Sequence, residues 1–274
     1  MVAHPASRAQ RELVAPPAWR SIDFISDLHL AADTPRTFDA WRDYLLHTAA
    51  DAVFILGDLF EAWVGDDARH EGFEARGAAV LTEAAQRRSL AFMVGNRDFL
   101  LGDEMLAACG VLALLDPTVL SAFGERVLLS HGDAWCIADL DYQQFRRQVR
   151  DPAWQAQVLA RPLAERRVLA RSMRSESERR TAQHRGKWFD VDAATALRWM
   201  AETDAPTLVH GHTHRPATHS LAPGQEREAR ERQLPQRCRD RAAFERAALA
   251  PALEPVAHRQ LTGSTASAGA SRTQ

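Results

Sequence analysis

The sequence has few cysteines and no long apolar segment. Its three cysteines, Cys109, Cys136 and Cys238, are widely spaced and form no CxxC pair, which excludes a disulfide framework and a thiolate zinc cluster. No run approaches the roughly 18 apolar residues that a membrane-spanning helix needs. Residues 1–20 lack the apolar core and the cleavage site of a secretory signal, so we expect a loose N-terminal extension on a cytoplasmic protein.

The charge balance excludes a further class of protein. A formal net charge of -2 is not that of a globally basic protein that coats nucleic acid, so we expect no nucleic-acid partner. Hydrophobic residues make up 46% and charged residues 26% of the 274 positions. This composition is typical of a globular protein with enough apolar material for a buried core.

Five short apolar runs, each typical of a buried strand, end in polar residues. Apolar residues at helical spacing separate the first of them, for example around Trp41 and Leu81. Strands that alternate with helices predict an α/β sheet, partly parallel, in which ligands bind at the carboxyl ends of the strands. We therefore expect the polar clusters at one sheet edge. The runs are Ser21–Ser26 before Asp27 and His29, Ala52–Leu56 before Gly57-Asp58, Leu90–Val94 before Gly95-Asn96, Arg126–Leu129 before Ser130-His131, and Thr207–Val209 before His210.

Two later segments differ in composition. Residues 141–187 repeat apolar side chains at helical spacing and hold twelve basic residues against five acidic ones, an excess of about seven positive charges. The segment could be a solvated helical face, or a helical cap between the fourth and fifth strands that faces an anionic substrate or membrane surface. Residues 222–274 have no alternating strand pattern and end in a low-complexity stretch, so we expect a poorly ordered tail.

The polar clusters contain a set of potential metal ligands. Alone, each has a plainer interpretation, such as a helix cap at Asp27 or a turn residue at Asn96. Together they supply oxygen and imidazole donors without thiolates, which suit Mn, Fe, Co or Zn. Seven donors are too many for one ion, but they divide between two ions if one carboxylate bridges. The donors are Asp27, His29, Asp58, Asn96, His131, His212 and His214.

The order of these clusters resembles that of the calcineurin-like metallophosphoesterases: Asp-x-His, Gly-Asp, Gly-Asn, a single His, and Gly-His-x-His. All five blocks occur between residues 27 and 214. The resemblance implies a β-sandwich flanked by helices, with its core at 21–140 and 188–221 and a helical cap inserted at 141–187. Such a site holds two cations that clamp an in-line phosphoryl displacement and activate a water. The implied ligands are Asp27, His29 and His214 for one cation, Asn96, His131 and His212 for the other, and Asp58 for both.

Within this superfamily, longer segments are similar to the UDP-2,3-diacylglucosamine pyrophosphohydrolases of lipid A biosynthesis. The resemblance implies attack at the uridine-side phosphorus of UDP-2,3-diacylglucosamine, giving UMP and 2,3-diacylglucosamine 1-phosphate (lipid X). It also implies two Mn2+ per chain, with Fe2+ or Co2+ as alternatives, and peripheral contact with the anionic cytoplasmic face of the inner membrane. The similar segments are Ile25–Leu30, Gly57–Asp67, Gly95–Gly102, Ser130–Asp133, Tyr142–Arg146 and His210–Pro216.

Arg97 distinguishes between branches of the superfamily. Phosphoprotein phosphatases have a histidine at this position, which suits the protonation of an alkoxide leaving group. The leaving group of a nucleotide pyrophosphate is already a weak base, and a guanidinium that spreads its charge over phosphoryl oxygens serves it better. Arg97 therefore favours pyrophosphate cleavage.

The family resemblance also implies further roles. It implies catalytic roles for Asn96, Arg97 and His131, and acyl chains that lie on apolar cap residues such as Trp154, Val158 and Leu159. The implied substrate contacts are Asn96, Arg97, Asp139, Ser177, Thr181, His184 and His212, where Thr181 and His184 replace the family's Asn and Lys.

Two alternatives remain open. A metallophosphoesterase could act on another nucleotide pyrophosphate, or the chain could be a non-catalytic scaffold that binds a partner. The basic, apolar cap counts against the first alternative, and the complete donor set counts against the second. The family normally continues with strands that complete the sheet, so residues 222–274 are either a divergent tail or a sequence irregularity.

Overall fold

A computed structural model describes residues 12–183, 189–215, 217–221 and 230–233. The strands are β1 (Glu12–Val14), β2 (Ile22–Ile25), β3 (Ala52–Leu56), β4 (Ser89–Met93), β5 (Leu112–Leu114), β6 (Thr118–Ala122), β7 (Glu125–Ser130), β8 (Thr207–His210), β9 (Ala217–Ser220) and β10 (Arg230–Gln233). The helices are α1 (Pro35–His47), α2 (Gly72–Ala85), α3 (Asp103–Cys109), α4 (Leu140–Val149), α5 (Pro152–Leu159), α6 (Leu163–Gln183) and α7 (Ala193–Glu202).

The strands form two sheets that pack face to face. One sheet has the order β2-β3-β4-β5 and is wholly parallel, and the other has the order β1-β6-β7-β8-β10-β9 and is mixed. Phe54 and Met93 of the first sheet share an apolar core with Leu120 and Leu129 of the second. The single sheet predicted from the strand pattern alone is therefore wrong, because the antiparallel β6-β7 hairpin begins a second sheet. The helix-flanked sandwich that the family resemblance implies is confirmed.

Helices cover the outer faces of the sandwich. α1 begins with Pro35, a residue favoured in the first turn of a helix, and buries Phe38, Trp41 and Leu45 in a core shared with the parallel sheet. Full burial of side chains of this size stabilises a fold by about 1.5–3 kcal/mol each. α7 covers the other sheet through Met200 and its neighbours. With a helix layer packed on each sheet, the ends of the strands are held in fixed positions.

Two strands lie where the sequence analysis predicted no regular structure. β1 lies inside the expected N-terminal extension and pairs in parallel with β6, with Leu13 opposite Leu120, while Arg126 donates to the carboxylate of Glu12. β10 lies inside the expected tail and pairs with β8 and β9. Neither strand is an apolar run, since β1 reads Glu-Leu-Val and β10 reads Arg-Glu-Arg-Gln, so pairing with neighbouring strands determines them. The remainder of 222–274 lies outside the described residues.

Three helices, α4, α5 and α6, occupy the segment predicted as a cap. Part of their positive charge faces carboxylates of the core, since Arg146 pairs with Asp133, Arg166 with Asp67, Arg167 with Glu71 and Arg174 with Glu61.

The cap also corrects one of the apolar predictions. Val158 is 3% exposed and packs inside the protein, so it does not provide a surface for an acyl chain. None of the helices in the described ranges is both long and apolar enough to cross a membrane.

Candidate metal centre

The loops that follow five strands bring all seven predicted donors together. Asp27 and His29 follow β2, Asp58 follows β3, Asn96 follows β4, His131 follows β7, and His212 and His214 follow β8. Backbone hydrogen bonds continue the strand pairing into these loops: His29 N–H donates to the Asp58 carbonyl at 3.0 Å, and Gly211 N–H to that of His131 at 3.0 Å. Both sheets therefore contribute to one site.

Five of the seven donors have left-handed backbone conformations. A positive φ is uncommon outside glycine and costs about 1–3 kcal/mol per residue. Such strain persists where the surrounding structure fixes it, and it is concentrated at functional sites. The five are Asp27 (φ 55°), His29 (49°), Asp58 (53°), His212 (67°) and His214 (55°).

Asp27, His29 and His214 form the first group of donors, with ligand atoms within 4.8 Å of one another. His214 Nε2 lies 3.3 Å from Asp27 Oδ1 and 3.3 Å from His29 Nε2. The other Asp27 oxygen, Oδ2, accepts from Ser26 Oγ at 2.5 Å and from the His212 N–H at 2.9 Å. Within the described part of the chain, no hydrogen bond of good geometry reaches the buried Oδ1. This atom therefore faces the centre of the group and is available to a cation.

Asp58 lies between the first group and a second one. Its Oδ2 is 3.8 Å from His29 Nε2, and its Oδ1 is 3.7 Å from His131 Nε2. In the second group, Asn96 Oδ1 is 2.9 Å from His131 Nε2 and 2.8 Å from His212 Nδ1. The Asp58 carboxylate therefore presents one oxygen to each of the two donor groups.

The buried carboxylates control the charge of the imidazoles. Burial lowers the pKa of His131, but Asp58, Asp27 and Asp133 outweigh it and raise that pKa to about 9. Burial and the neighbouring His131 lower the pKa of His212 to about 4. Burial raises the pKa of Asp27, whereas the imidazoles around it hold that pKa well below its usual range. A site of buried carboxylates whose charge is balanced by a protonated histidine fits a divalent cation that would take the proton's place.

The surrounding contacts orient the imidazoles. The Nδ1 atom of His131 is 2.9 Å from the Leu56 carbonyl, and that of His29 is 3.0 Å from Glu61 Oε2. In both rings this leaves Nε2 facing the site, as is usual for metal-binding histidines. The donor types and the orientation of the rings therefore support a centre of two metal ions.

The sequence analysis missed three buried acids that support the site. Asp98 accepts from the Gly95 N–H at 2.7 Å and the Leu59 N–H at 2.9 Å, which joins the loops after β3 and β4. Asp133 accepts from Tyr142 Oη at 2.8 Å and Arg146 Nε at 2.9 Å, which ties α4 to the His131 loop. Glu61 contacts His29. All three lie within the segments that resemble the family, close to a donor motif, but the sequence analysis assigned them no role.

The structure describes some of the predicted substrate contacts. Arg97 and Ser177 lie together, with Arg97 Nη2 donating to Ser177 Oγ at 3.2 Å. Asp139 caps α4 by accepting from the Tyr142 N–H at 3.0 Å. Thr181 is within α6, but its side chain lies outside the described part, as does all of His184. These assignments stay predictions.

Comparisons with known proteins give the following matches. The family model described as calcineurin-like phosphoesterase matches residues 20–216. The chain is 48% identical over 208 residues to the UDP-2,3-diacylglucosamine hydrolase of Chromobacterium violaceum, covering 73% of this chain and 85% of that protein. Proteins of the same name from Stenotrophomonas maltophilia and Aromatoleum aromaticum are 43% and 45% identical, covering 73% and 72% of this chain and 85% and 81% of theirs.

Proposed function

The chain belongs to the calcineurin-like phosphoesterases and, among them, to the UDP-2,3-diacylglucosamine hydrolase family, and we propose that it hydrolyses the pyrophosphate of UDP-2,3-diacylglucosamine. Water attacks the uridine-side phosphorus, and the products are UMP and 2,3-diacylglucosamine 1-phosphate. The observation that carries the proposal is Asp58, which presents one oxygen to each of two donor groups and accepts the N–H of Arg97 at 2.7 Å. This arrangement supports two neighbouring cation sites, beside which we expect the guanidinium of Arg97 to contact the phosphates.

In this proposal, each cation has its own ligands and shares Asp58. Asp27, His29 and His214 would hold one ion, and Asn96, His131 and His212 would hold the other. Two manganese ions are the proposed cofactor, since nitrogen and oxygen donors accept manganese, iron or cobalt and the family resemblance favours manganese. When bound, the ions supply Lewis-acid polarisation of the phosphoryl group and activation of the attacking water. The neutral Asn96 supplies an oxygen without adding negative charge.

Arg97 is the proposed contact to the phosphoryl oxygens. Its backbone N–H orients Asp58, while its side chain reaches Ser177 on α6. A guanidinium in this place can accommodate the charge that develops on the phosphoryl oxygens without donating a proton to the leaving group. UMP and a sugar phosphate are weak bases, so this reaction requires little acid catalysis.

UMP release from the acylated substrate tests the function. We expect turnover with added Mn2+, loss of turnover with a chelator, and recovery when Mn2+ is restored. Replacing Asp58 by asparagine preserves its shape but removes the bridging charge, so this variant is the matched inactive control. UDP-N-acetylglucosamine tests the substrate class, and faster turnover of this unacylated sugar would contradict the proposal.

We further propose that the cap contacts the anionic cytoplasmic face of the inner membrane. Arg147 and Arg171 are exposed, and neither is in an ion pair with another described residue, while Leu159 is 42% exposed. Sedimentation with liposomes tests this. Replacing Arg147 and Arg171 by glutamine should reduce binding to vesicles that contain anionic lipid, whereas replacing the exposed Arg36 and Arg42 of α1 should not. Equal binding to neutral and anionic vesicles would contradict the charge argument.

A further inference from the structure

Glu61 lies outside the seven donors but next to them. The loop after β3 continues to pair with the loop after β2, since the Leu30 N–H donates to the Leu59 carbonyl at 2.8 Å and the Glu61 N–H to the Leu30 carbonyl at 3.0 Å. The two loops therefore lie side by side, and the backbone of Glu61 is held two register positions beyond His29 on the neighbouring loop. The Glu61 side chain is only 10% exposed.

The two carboxylate oxygens of Glu61 have different partners. Oε2 accepts from His29 Nδ1 at 3.0 Å. Oε1 lies 3.6 Å from Arg97 Nη1 and 3.6 Å from Arg174 Nε, which belongs to α6 of the cap. His29, Arg97 and Arg174 therefore surround the Glu61 carboxylate with basic side chains.

These contacts connect three parts of the proposed machinery. A carboxylate that accepts from the outer nitrogen of a metal-binding histidine fixes its tautomer and makes it a better ligand. The same carboxylate limits the positions of the Arg97 guanidinium. Through Arg174 it also attaches α6 to the site. We propose that Glu61 is a positioning residue for the hydrolysis, one that orients His29 toward the first metal ion and aligns Arg97 and the cap with the substrate phosphates; this inference rests on the proposed function.

Glu61→Gln tests the inference because the amide keeps the size of the side chain and removes its charge. An amide has one acceptor oxygen, so it cannot serve His29 and both arginines. We expect a 10- to 100-fold loss of affinity for one of the two cations, the one that His29 would hold, measured by titration of the metal-free protein with Mn2+, and a lower kcat for UMP release. Glu71→Gln is the control, because Glu71 also pairs with a cap arginine, Arg167 at 2.8 Å, but is 57% exposed. We expect it to retain wild-type metal affinity and kcat.

A second variant separates the proposed effect of Glu61 on metal binding from its proposed effect on the cap. Arg174→Gln removes the contact to the cap and leaves the Glu61–His29 hydrogen bond, so we expect unchanged metal affinity and a several-fold higher KM. If Glu61→Gln does not fold, as judged by thermal unfolding, Arg174→Gln carries the test, and an unchanged KM overturns the inference. Wild-type Mn2+ affinity in folded Glu61→Gln also overturns it. If the wild-type chain binds two cations but releases no UMP, the proposed function fails, whereas the metal titration still decides the role of Glu61.

Discussion

Replacing Arg97 by alanine separates substrate binding from metal binding. The Arg97 side chain is 24% exposed, with Nη2 3.2 Å from Ser177 Oγ and Nη1 3.6 Å from Glu61. Its backbone N–H, which donates to Asp58 Oδ1 at 2.7 Å, is retained in the variant. The substitution therefore removes the cationic group and preserves the hydrogen bond that orients the bridging carboxylate.

The expected loss follows from the contacts that disappear. A preorganised donor to developing charge contributes about 2.7–4 kcal/mol, which corresponds to a factor of roughly 10²–10³ in kcat. Glu61 keeps His29 and Arg174 as partners, so its charge stays compensated in the variant. Arg97→Lys retains a positive charge but loses the planar guanidinium, which can donate two hydrogen bonds to the same phosphate. We expect that variant to lose about tenfold, the equivalent of one hydrogen bond of roughly 1–1.5 kcal/mol.

The assay combines UMP release at saturating Mn2+ with elemental analysis of the purified variants. We expect the same metal content in wild type, Arg97→Ala and Arg97→Lys, and the exposed Arg42→Ala serves as a control with wild-type turnover. Ser177→Ala should lower kcat modestly, and its effect should not add to that of Arg97→Ala, because the two side chains are in contact. Wild-type kcat in Arg97→Ala would refute the phosphate contact. A loss of metal in that variant would show that Arg97 supports the ligands instead.

Three further predictions concern the metal centre itself. Asp58→Ala should lower bound metal and reduce turnover by orders of magnitude, and elemental analysis that finds both cations would contradict the bridging role. The pKa of His131, raised to about 9, keeps this imidazole protonated at pH 7.5 in the metal-free protein, so Mn2+ binding should release a proton and tighten as the pH rises toward 9. Calorimetry in two buffers with different ionisation enthalpies measures that release, and equal enthalpies would contradict it. Gly211→Ala should weaken metal binding, because a Cβ at this position would lie 2.5 Å from Ser26 Oγ and closer still to Asp27 Oδ2. Wild-type metal content in that variant would refute the steric argument.

The sequence predicted that the seven proposed donors would lie together, because their signal is local. Each donor follows a short apolar run, and the carboxyl ends of strands meet wherever the strands pack together. The division into two sheets had no such signal, since an antiparallel hairpin and a parallel crossover join apolar runs that look alike. β1 and β10 were missed because their charged residues leave no apolar run, unlike the similarly short β2 and β8. Whether the seven donors bind metal stays a prediction of the sequence.

The supporting residues show the limit of local signals. Glu61 has partners 32, 36 and 113 positions away in His29, Arg97 and Arg174, and only the fold brings them together. Val158 was predicted to contact an acyl chain, but its side chain is buried. The spacing of apolar residues along a helix does not show whether they pack against the core or contact a lipid. In both cases the chemistry depends on contacts between distant segments.

The charge of the cap illustrates how such contacts change an interpretation. An excess of basic residues in the sequence suggested attraction to an anionic surface, yet several of these arginines face core carboxylates, among them the buried Arg166 beside Asp67. Ion pairs of this kind are directional, so they set the orientation of the cap over the site in a way that apolar contacts alone would not. Leu140 is 75% exposed, and Leu159, which lies beside Gly65 of the core, is still 42% exposed. The proposed contact with a lipid substrate or a membrane surface therefore concerns these apolar residues and the exposed arginines of the cap.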